Sequence, residues 1–138
     1  MKKIVVFIFF ACSTFLLDAQ TVVSHPKSGA TGTWRLLGTV TASHSADHDK
    51  IVAVGPYDYF RKLKFKVTNS PLTITKMIVT YDGGVPQIIQ TRFDIPKGGE
   101  SRLITLAGGK RKLRTVEFWY DTKGFLNGKA NLTLFGMK

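Results

Sequence analysis

The sequence contains a single cysteine, and its position limits how the protein can be stabilised. Cys12 is the only cysteine among 138 residues, and it lies within the first apolar run. If that run is removed by processing, no thiol is left to form a disulfide, to act as a nucleophile or to bind a metal. The folded part of the chain must therefore be held by a hydrophobic core.

Long hydrophobic runs are also scarce, because only one is present and it lies near the N-terminus. Lys2 and Lys3 precede the apolar residues 4–17, and the small residue Ala19 follows them. This arrangement is typical of a secretory signal peptide, and the run is too short for a transmembrane helix. We predict a signal peptide at residues 1–19, an exported protein that is periplasmic or extracellular, and no membrane span.

A lipoprotein signal is the alternative interpretation of this segment, with the chain cut before Cys12 and acylated there. Phe9 and Phe10 stand before Cys12, where such a signal usually has small residues or leucine. Cleavage after Ala19 matches the sequence better. We therefore expect a mature chain that carries no lipid.

The chain after Ala19 is long enough for one domain and too short for two. Residues 20–33 are mostly small and polar, with one proline and two glycines. Such a composition is typical of a flexible leader. We predict that residues 34–138 form a single folded domain.

Acidic residues are few, with 9 Asp and Glu against 20 Lys and Arg, and the net charge is +11. Without residues 1–19 the net charge is +10, because that segment carries Lys2, Lys3 and Asp18. In an exported protein this charge favours anionic partners outside the cytoplasm. We expect an anionic polysaccharide, lipopolysaccharide or an envelope protein as the partner, and no nucleic acid.

The helical pattern is missing, since no window of about 11 residues keeps an apolar period near 3.6. Short runs rich in Val, Ile, Thr and aromatic residues instead alternate with glycine-containing turns at 81–84, 96–99, 105–109 and 122–128. The predicted strands are 34–42, 50–54, 60–68, 72–81, 86–94, 101–106, 111–120 and 130–136. They predict an all-β fold, a single antiparallel β-sandwich of about eight strands, jelly-roll or immunoglobulin-like, or a flattened barrel.

Residues 44–50, HSADHDK, gather the largest number of groups capable of chemistry. Their spacing matches neither a zinc motif nor an EF-hand. In a regular strand His44 and His48 would lie about 13 Å apart, so only a loop could bring Asp47, His48 and Asp49 together as a metal site. We favour a polar turn in which aspartate and serine bond nearby backbone amides, and we predict no metal or other cofactor.

Signs of catalysis are weak elsewhere in the chain. There is no G-x-S-x-G motif around a serine. Glu117 and Asp121 could share a strand face, but they would be about 13 Å apart in a regular strand. We predict that the protein is not an enzyme.

A lysine stripe is the first candidate binding surface. In residues 60–67, Lys62, Lys64 and Lys66 alternate with apolar residues, so the three lysines share one side of a strand at intervals of about 7 Å. The stripe is either a site for an anionic ligand or a solvated face that discourages pairing between sheets.

A basic turn cluster is the second candidate, and it comprises Lys110, Arg111, Lys112 and Arg114. The planar guanidinium of arginine suits phosphate or sulfate groups. The alternative is again a solvated surface.

Trp119 is the third candidate. If Phe118 and Tyr120 face the core, Trp119 faces outward between Glu117 and Asp121. An outward indole could stack on a sugar ring, or it could be covered by a neighbouring loop.

Several motifs resemble those of small exported bacterial proteins that consist of a domain of unknown function. They are W-R-L-L-G at 34–38, D-x-D-x-I-x-V at 47–53 with Ala53 in place of valine, G-G-x-R at 108–111, V-E-F-W-Y at 116–120 and G-x-A-x-L-T-L-F-G at 128–136. The resemblance covers about residues 34–137 and implies a compact β-sandwich. It implies no catalytic residues, and it makes Asp47 and Asp49 a recurring turn element.

The leading hypothesis is a non-enzymatic exported module that binds an anionic or carbohydrate component of the cell envelope. The first alternative is a structural or protein-interaction accessory module of an envelope complex. The second is a metal-dependent hydrolase built around residues 44–50.

Overall fold

The computed structural model describes residues 20–43, 48–54, 59–90, 92–121 and 129–138. Within these ranges the chain forms β-strands and no helix, so the predicted all-β class is confirmed. No helix in this part of the chain is long and apolar enough to cross a membrane. The predicted signal peptide at 1–19 and the predicted turn at 122–128 lie outside the described residues.

Eleven strands are present in the described ranges, three more than the eight predicted runs. They are β1 (Gln20–Ser24), β2 (Trp34–Ser43), β3 (His48–Ala53), β4 (Tyr59–Phe60), β5 (Lys62–Thr68), β6 (Leu72–Tyr81), β7 (Gln87–Ile89), β8 (Phe93–Ile95), β9 (Ile104–Thr105), β10 (Arg111–Asp121) and β11 (Lys129–Met137).

The strands form two sheets, which we call sheet A and sheet B. Sheet A has seven strands in the order β1-β3-β10-β6-β7, with β4 also paired to β10 and β8 to β6. Sheet B has four strands in the order β2-β11-β5-β9. The layered arrangement agrees with the predicted class, whereas the jelly-roll or immunoglobulin-like type remains a prediction.

The first difference from the predicted strands lies at Arg61, which divides the run 60–68 into β4 and β5. The Arg61 amide donates to the Met137 carbonyl at 2.7 Å, and the Leu106 amide donates to the Arg61 carbonyl at 2.9 Å. Because β4 pairs with β10 and β5 pairs with β11, the chain passes from sheet A to sheet B at this residue.

The second difference lies in the run 86–94, which forms the two short strands β7 and β8. Both pair with β6, but β7 pairs with residues 77–79 and β8 with residues 72–74. A run of apolar residues does not show that its two halves pair with different stretches of one neighbour.

The third difference is β1, which occupies the first five residues of the predicted flexible leader. It pairs in parallel with β3, so sheet A is mixed, in contrast to the predicted purely antiparallel arrangement. The half-buried Val22 packs against the core. The sequence did not predict β1, because small polar residues follow it and the whole segment 20–33 has the composition of a flexible leader.

One hydrophobic core lies between the inner faces of the two sheets. Phe65 of sheet B contacts Phe118 of sheet A edge to face, with ring centroids 5.4 Å apart. Both side chains are fully buried, as are Leu63 and Val67 on the inner side of β5. The alternation predicted for the lysine stripe is therefore present, since the inner side of β5 is apolar and Lys62, Lys64 and Lys66 lie on its outer side.

Glycines permit the tight turns that join successive strands of the chain. Gly83 and Gly84 have φ of 98° and 86°, and Gly108 and Gly109 both have φ of 84°. Residues with a Cβ rarely adopt this conformation. These turns confirm the prediction made for residues 81–84 and 105–109, and Gly98, with φ of 77°, lies in the turn predicted at 96–99.

Candidate ligand-binding face

The outer face of sheet B presents its side chains in four parallel rows, because β11 is paired with β2 on one side and β5 on the other. Each row runs from β2 through β11 to β5. The rows are Trp34–Met137–Lys62, Leu36–Phe135–Lys64, Thr39–Thr133–Lys66 and Thr41–Asn131–Thr68.

Two of these rows form an apolar patch next to the lysines. Leu36 is 60% exposed, whereas Trp34, Phe135 and Met137 are half-buried. The Lys64 ammonium lies 4.5 Å from the centroid of the Trp34 ring and 5.9 Å from that of Phe135. The positive charge of Lys64 therefore lies beside the aromatic rings of this patch.

The other two rows are polar and extend the face beyond the apolar patch. The hydroxyls of Thr39 and Thr133 are hydrogen-bonded at 3.0 Å, and the Thr41 hydroxyl donates to the Asn131 side-chain oxygen at 3.1 Å. A hydroxyl or an amide can make more than one hydrogen bond, so these groups retain capacity toward solvent or a ligand. The two rows therefore place their polar side chains in a regular arrangement on sheet B.

The three lysines of the stripe differ in how they are engaged. Lys64 forms an ion pair with Glu100, with 3.1 Å between Nζ and Oε1, and its side chain is only 15% exposed. Within the described part of the chain, Lys62 and Lys66 form no ion pair. The predicted stripe is thus one engaged lysine between two lysines whose charges face solvent.

The basic turn cluster is divided in a similar way. The Arg111 guanidinium donates to the carbonyls of Ala107 at 2.9 Å and Gly83 at 3.2 Å. It also lies 3.9 Å from the centroid of the Tyr81 ring. Arg111 therefore joins two turns, and this structural role accounts for the donors that we predicted would bind an anion.

Its neighbours lie in different environments. Lys112 lies with its ammonium 5.4 Å from the centroid of the Tyr59 ring, whereas Lys110 and Arg114 are exposed. Arg111 and Lys112 therefore contact different neighbours, and only Lys110 and Arg114 of the four are exposed.

Trp119 faces outward from sheet A, as the alternation of β10 predicts, but its ring is contacted by neighbours on both adjacent strands. His48 of β3 stacks on it with centroids 4.6 Å apart and an interplanar angle of 23°. The ammonium of Lys76 on β6 lies 4.6 Å from the same ring. The Trp119 ring is therefore covered by side chains of neighbouring strands, whereas the sequence suggested that a loop could cover it.

The segment 44–50 is divided between two faces. His44 and Asp47 lie outside the described residues, while His48 and Asp49 belong to β3 and point to opposite faces of sheet A. The His48 Nε2 atom pairs with the Glu117 carboxylate on the outer face. The predicted metal candidates His48 and Asp49 therefore cannot bind one ion together.

The predicted polar turn is wrong for Asp49, because this residue is 1% exposed and lies in strand β3. Its Oδ1 atom accepts a hydrogen bond from the Gln20 backbone nitrogen at 2.6 Å, and its Oδ2 atom accepts one from the Tyr120 hydroxyl at 2.9 Å. Burial raises the pKa of Asp49 above its usual value, and the hydrogen bonds from Gln20 and Tyr120 oppose this effect only in part.

A surface pocket of about 450 Å³ lies at another position, beside β8. Its lining includes Thr73, Arg92, Asp94 and Asp121. Asp94 accepts hydrogen bonds from the Thr73 hydroxyl at 2.9 Å and from the Arg92 guanidinium at 3.0 Å. The hydrogen bond from Thr73 is the main cause that lowers the pKa of Asp94, and the carboxylate is already engaged by groups of the pocket itself.

The sequence does not identify Trp34, Leu36, Phe135 or the two polar rows as parts of one surface. The alternation in 130–136 shows that Asn131, Thr133 and Phe135 share one side of a strand. The order of strands in the sheet was the missing information, because it alone places these residues between β2 and the lysines.

The fold and this face define an all-β protein of two sheets whose outer surface carries an ordered set of apolar, polar and basic groups. Residues 4–136 match the sequence profile of a domain of unknown function, DUF2541. The chain belongs to this family.

Comparisons with individual proteins add little. No curated protein matches the chain. Among solved structures, AlgX of Pseudomonas aeruginosa is similar with a TM-score of 0.46 at 11% identity, over 80% of this chain and 28% of that one. The SPBc2 prophage-derived protein YomS is similar with a TM-score of 0.39 at 16% identity, over 77% of this chain and 92% of that one. The chain thus spans little more than a quarter of AlgX, and both TM-scores are too low to carry a functional argument.

Proposed function

We propose that the protein is an exported, non-enzymatic β-sandwich module that binds an anionic or carbohydrate component of the cell envelope through the outer face of sheet B. The observation that carries this proposal is the order of the rows on that face. Two rows are apolar and aromatic, two are polar, and three of the four end at a lysine of β5.

An acidic polysaccharide offers the groups that match this order. Sugar rings have apolar C–H surfaces that pack against aromatic and aliphatic side chains. Sugar hydroxyls can bond the polar groups of Thr39, Thr41, Asn131 and Thr133. Carboxylate, phosphate or sulfate groups can pair with the ammonium groups of Lys62 and Lys66.

The spacing of the charges favours an extended polymer as the ligand. Lys62 and Lys66 are four positions apart on one strand, or about 13 Å. A small anion would need several donors that converge on one point, as a phosphate site does. A polymer with repeated negative charges can instead contact both lysines at once, and linked contacts strengthen each other.

The electrostatics of the surroundings also support an anionic ligand. Exposed charges add to a shared local potential when few opposite charges lie nearby. On this face Glu100 is offset by Lys64, so the charges of Lys62 and Lys66 remain for a ligand. The predicted signal peptide supports the same proposal, because anionic glycans are abundant outside the cytoplasm.

The test is binding to an immobilised polyuronate and to lipopolysaccharide by two variants of equal charge change. Lys62→Glu/Lys66→Glu reverses two charges on the outer face of sheet B, and Lys110→Glu/Arg114→Glu reverses two exposed charges at the basic turn. We expect the first variant to bind at least about tenfold more weakly and the second to bind nearly as the parent does. Tenfold corresponds to about 1.4 kcal/mol, a plausible sum for two reversed ion pairs.

Equal weakening in both variants would show that only net charge matters, and the sheet B face would lose its role. Failure of the parent to bind either probe, even at low salt, would support the protein-interaction module in its place. High salt should weaken binding of the parent, because exposed charges are screened over about 8 Å at physiological ionic strength.

A further inference from the structure

Asp49 is a buried carboxylate with two hydrogen-bond donors and an incomplete charge balance. Its two oxygens accept separate hydrogen bonds from the Gln20 nitrogen and the Tyr120 hydroxyl, an arrangement that suits the ionised form. No lysine or arginine of the described ranges forms an ion pair with it. A buried charge without a counter-charge is strongly destabilising.

The groups around Asp49 do not supply that counter-charge. Tyr120, from β10, contributes a neutral hydroxyl, and β1 contributes a backbone nitrogen. The adjacent His48 has the smallest of the effects on the pKa of Asp49, and it lies on the opposite face of β3 and pairs with Glu117. Burial consequently dominates, and the pKa of Asp49 is raised.

The donor from β1 has a special position in the sequence. The Gln20 nitrogen is the atom that the predicted cleavage after Ala19 would release. Hydrolysis of the Ala19–Gln20 peptide bond adds one water, leaves a carboxylate on Ala19 and converts the amide nitrogen of Gln20 into an amine that is protonated at neutral pH. That nitrogen lies 2.6 Å from Asp49 Oδ1.

Gln20 is also held in place by a second contact, with the other sheet. Its side-chain oxygen accepts a hydrogen bond from the Thr41 backbone nitrogen at 2.8 Å. The residue therefore links β1 of sheet A to β2 of sheet B while its nitrogen points at Asp49. Gln20 is thus held by three contacts: its side chain with Thr41, its nitrogen with Asp49, and the pairing of β1 with β3. These contacts keep its nitrogen next to the Asp49 carboxylate.

We propose that Asp49 is the binding site for the α-ammonium group of Gln20, so that removal of the predicted signal peptide completes the fold with a buried ion pair. Before cleavage the nitrogen is a neutral amide with one hydrogen. After cleavage it carries a positive charge and up to three hydrogens, which matches the unbalanced carboxylate. This inference is independent of the ligand that sheet B binds.

The test uses the full chain expressed with its own residues 1–19 and purified after export. Intact mass establishes whether the mature protein begins at an unmodified Gln20. An NMR titration then measures the pKa of the α-amino group, which is ordinarily about 7.7–8.0. We expect it to be raised by about one unit or more, because a neighbouring carboxylate favours the charged amine.

Asp49→Asn should return the pKa of the α-amino group to the ordinary range, whereas the matched control Asp94→Asn should leave it raised. A third variant inserts Gly-Ser between Ala19 and Gln20, which moves the charge away from Asp49 while leaving the side chains intact. We expect this insertion to lower the folding equilibrium constant of the parent about tenfold and to change that of Asp49→Asn much less.

Several results would overturn the proposal. They are a mature chain that starts elsewhere, an N-terminal glutamine closed to pyroglutamate with loss of ammonia, or an α-amino pKa in the parent within the ordinary range. An insertion that destabilises the parent and Asp49→Asn equally would do the same. If Asp49→Asn fails to fold, the α-amino pKa of the parent and the effect of the Gly-Ser insertion on the parent still test the proposal.

Discussion

On the outer face of sheet A, the aromatic and charged groups are engaged with one another. Trp119 contacts His48 and Lys76, and His48 pairs with Glu117. On the outer face of sheet B, Lys64 is engaged in the same manner, while Lys62 and Lys66 lie beside an apolar patch without an ion pair in the described ranges. The two faces share residue types and differ in whether their charges are already neutralised.

This difference shows why a tryptophan or a basic run is weak grounds for a binding site. Trp119 and Arg111 are both attractive candidates in the sequence, and both have partners inside the protein. Lys62 and Lys66 are candidates in the sequence as well, and within the described ranges they form no ion pair. The pairing of each group, which depends on its cross-strand neighbours, decides what it can bind.

The largest expected effect on stability concerns the strand that supports the sheet B face. A Cβ at Gly136 would lie 2.7 Å from Cδ1 of Phe60 and 3.0 Å from Cδ1 of Leu37. We expect Gly136→Ala to lower the free energy of unfolding by about 1–3 kcal/mol, as overpacking does in tight cores. Urea denaturation measures it, with Thr133→Ala on the outer side of β11 as the control.

The outer-side control should cost less than about 1 kcal/mol, because it removes one partly exposed hydrogen bond. A harmless Gly136→Ala would show that Phe60 can move away, and β11 would then be a less rigid support for the face than we describe.

The next effect concerns pH and distinguishes two carboxylates of opposite behaviour. In a chain with residues preceding Gln20, the folded-state pKa of Asp49 is raised from 3.8 by burial. Its contribution to stability is then greatest below the unfolded-state pKa and is lost as pH rises through the folded-state pKa. The stability of this longer chain should therefore fall as pH rises above about 4, and Asp49→Asn should abolish that fall.

Asp94 should show the reverse dependence, because the hydrogen bond from Thr73 lowers its pKa from 3.8. Its contribution is present above the unfolded-state pKa and is lost as pH falls through the folded-state pKa. Denaturant titrations of the chain that keeps residues before Gln20, and of its Asp49→Asn and Asp94→Asn variants, measure both across this range. Difference curves of the same sign for the two variants would contradict the assignment.

The smallest effect is expected for the ion pair on the outer face of sheet A. His48 and Glu117 have side chains that are 28% and 25% exposed, so the pair is only partly shielded from solvent. We expect Glu117→Gln to lower the free energy of unfolding by about 1 kcal/mol or less and to leave polyuronate binding unchanged. Weaker binding in this variant would indicate that sheet A also takes part, and the contrast between the faces would fail.

The sequence alone predicts the all-β class, the alternation of β5 and β10 and three of the turns, because these depend on local periodicity and on glycine. It does not predict β1, whose pairing with β3 depends on contacts with residues far along the chain. Nor does it predict the rows of sheet B, since β2 and β5, the neighbours of β11, both lie far from it in the sequence. Asp49 looked like a turn residue because its partners, Gln20 and Tyr120, are distant in sequence.

The most direct test of the central claim is an NMR titration of isotopically labelled protein with a soluble polyuronate oligomer. We predict that the largest shifts in backbone amide resonances fall in β2, β11 and β5, around Thr133 and Lys66, while β3 and the Trp119 region of β10 change little. Shifts concentrated around Trp119 and His48, or spread evenly over all basic residues, would contradict the assignment of the binding surface to the outer face of sheet B.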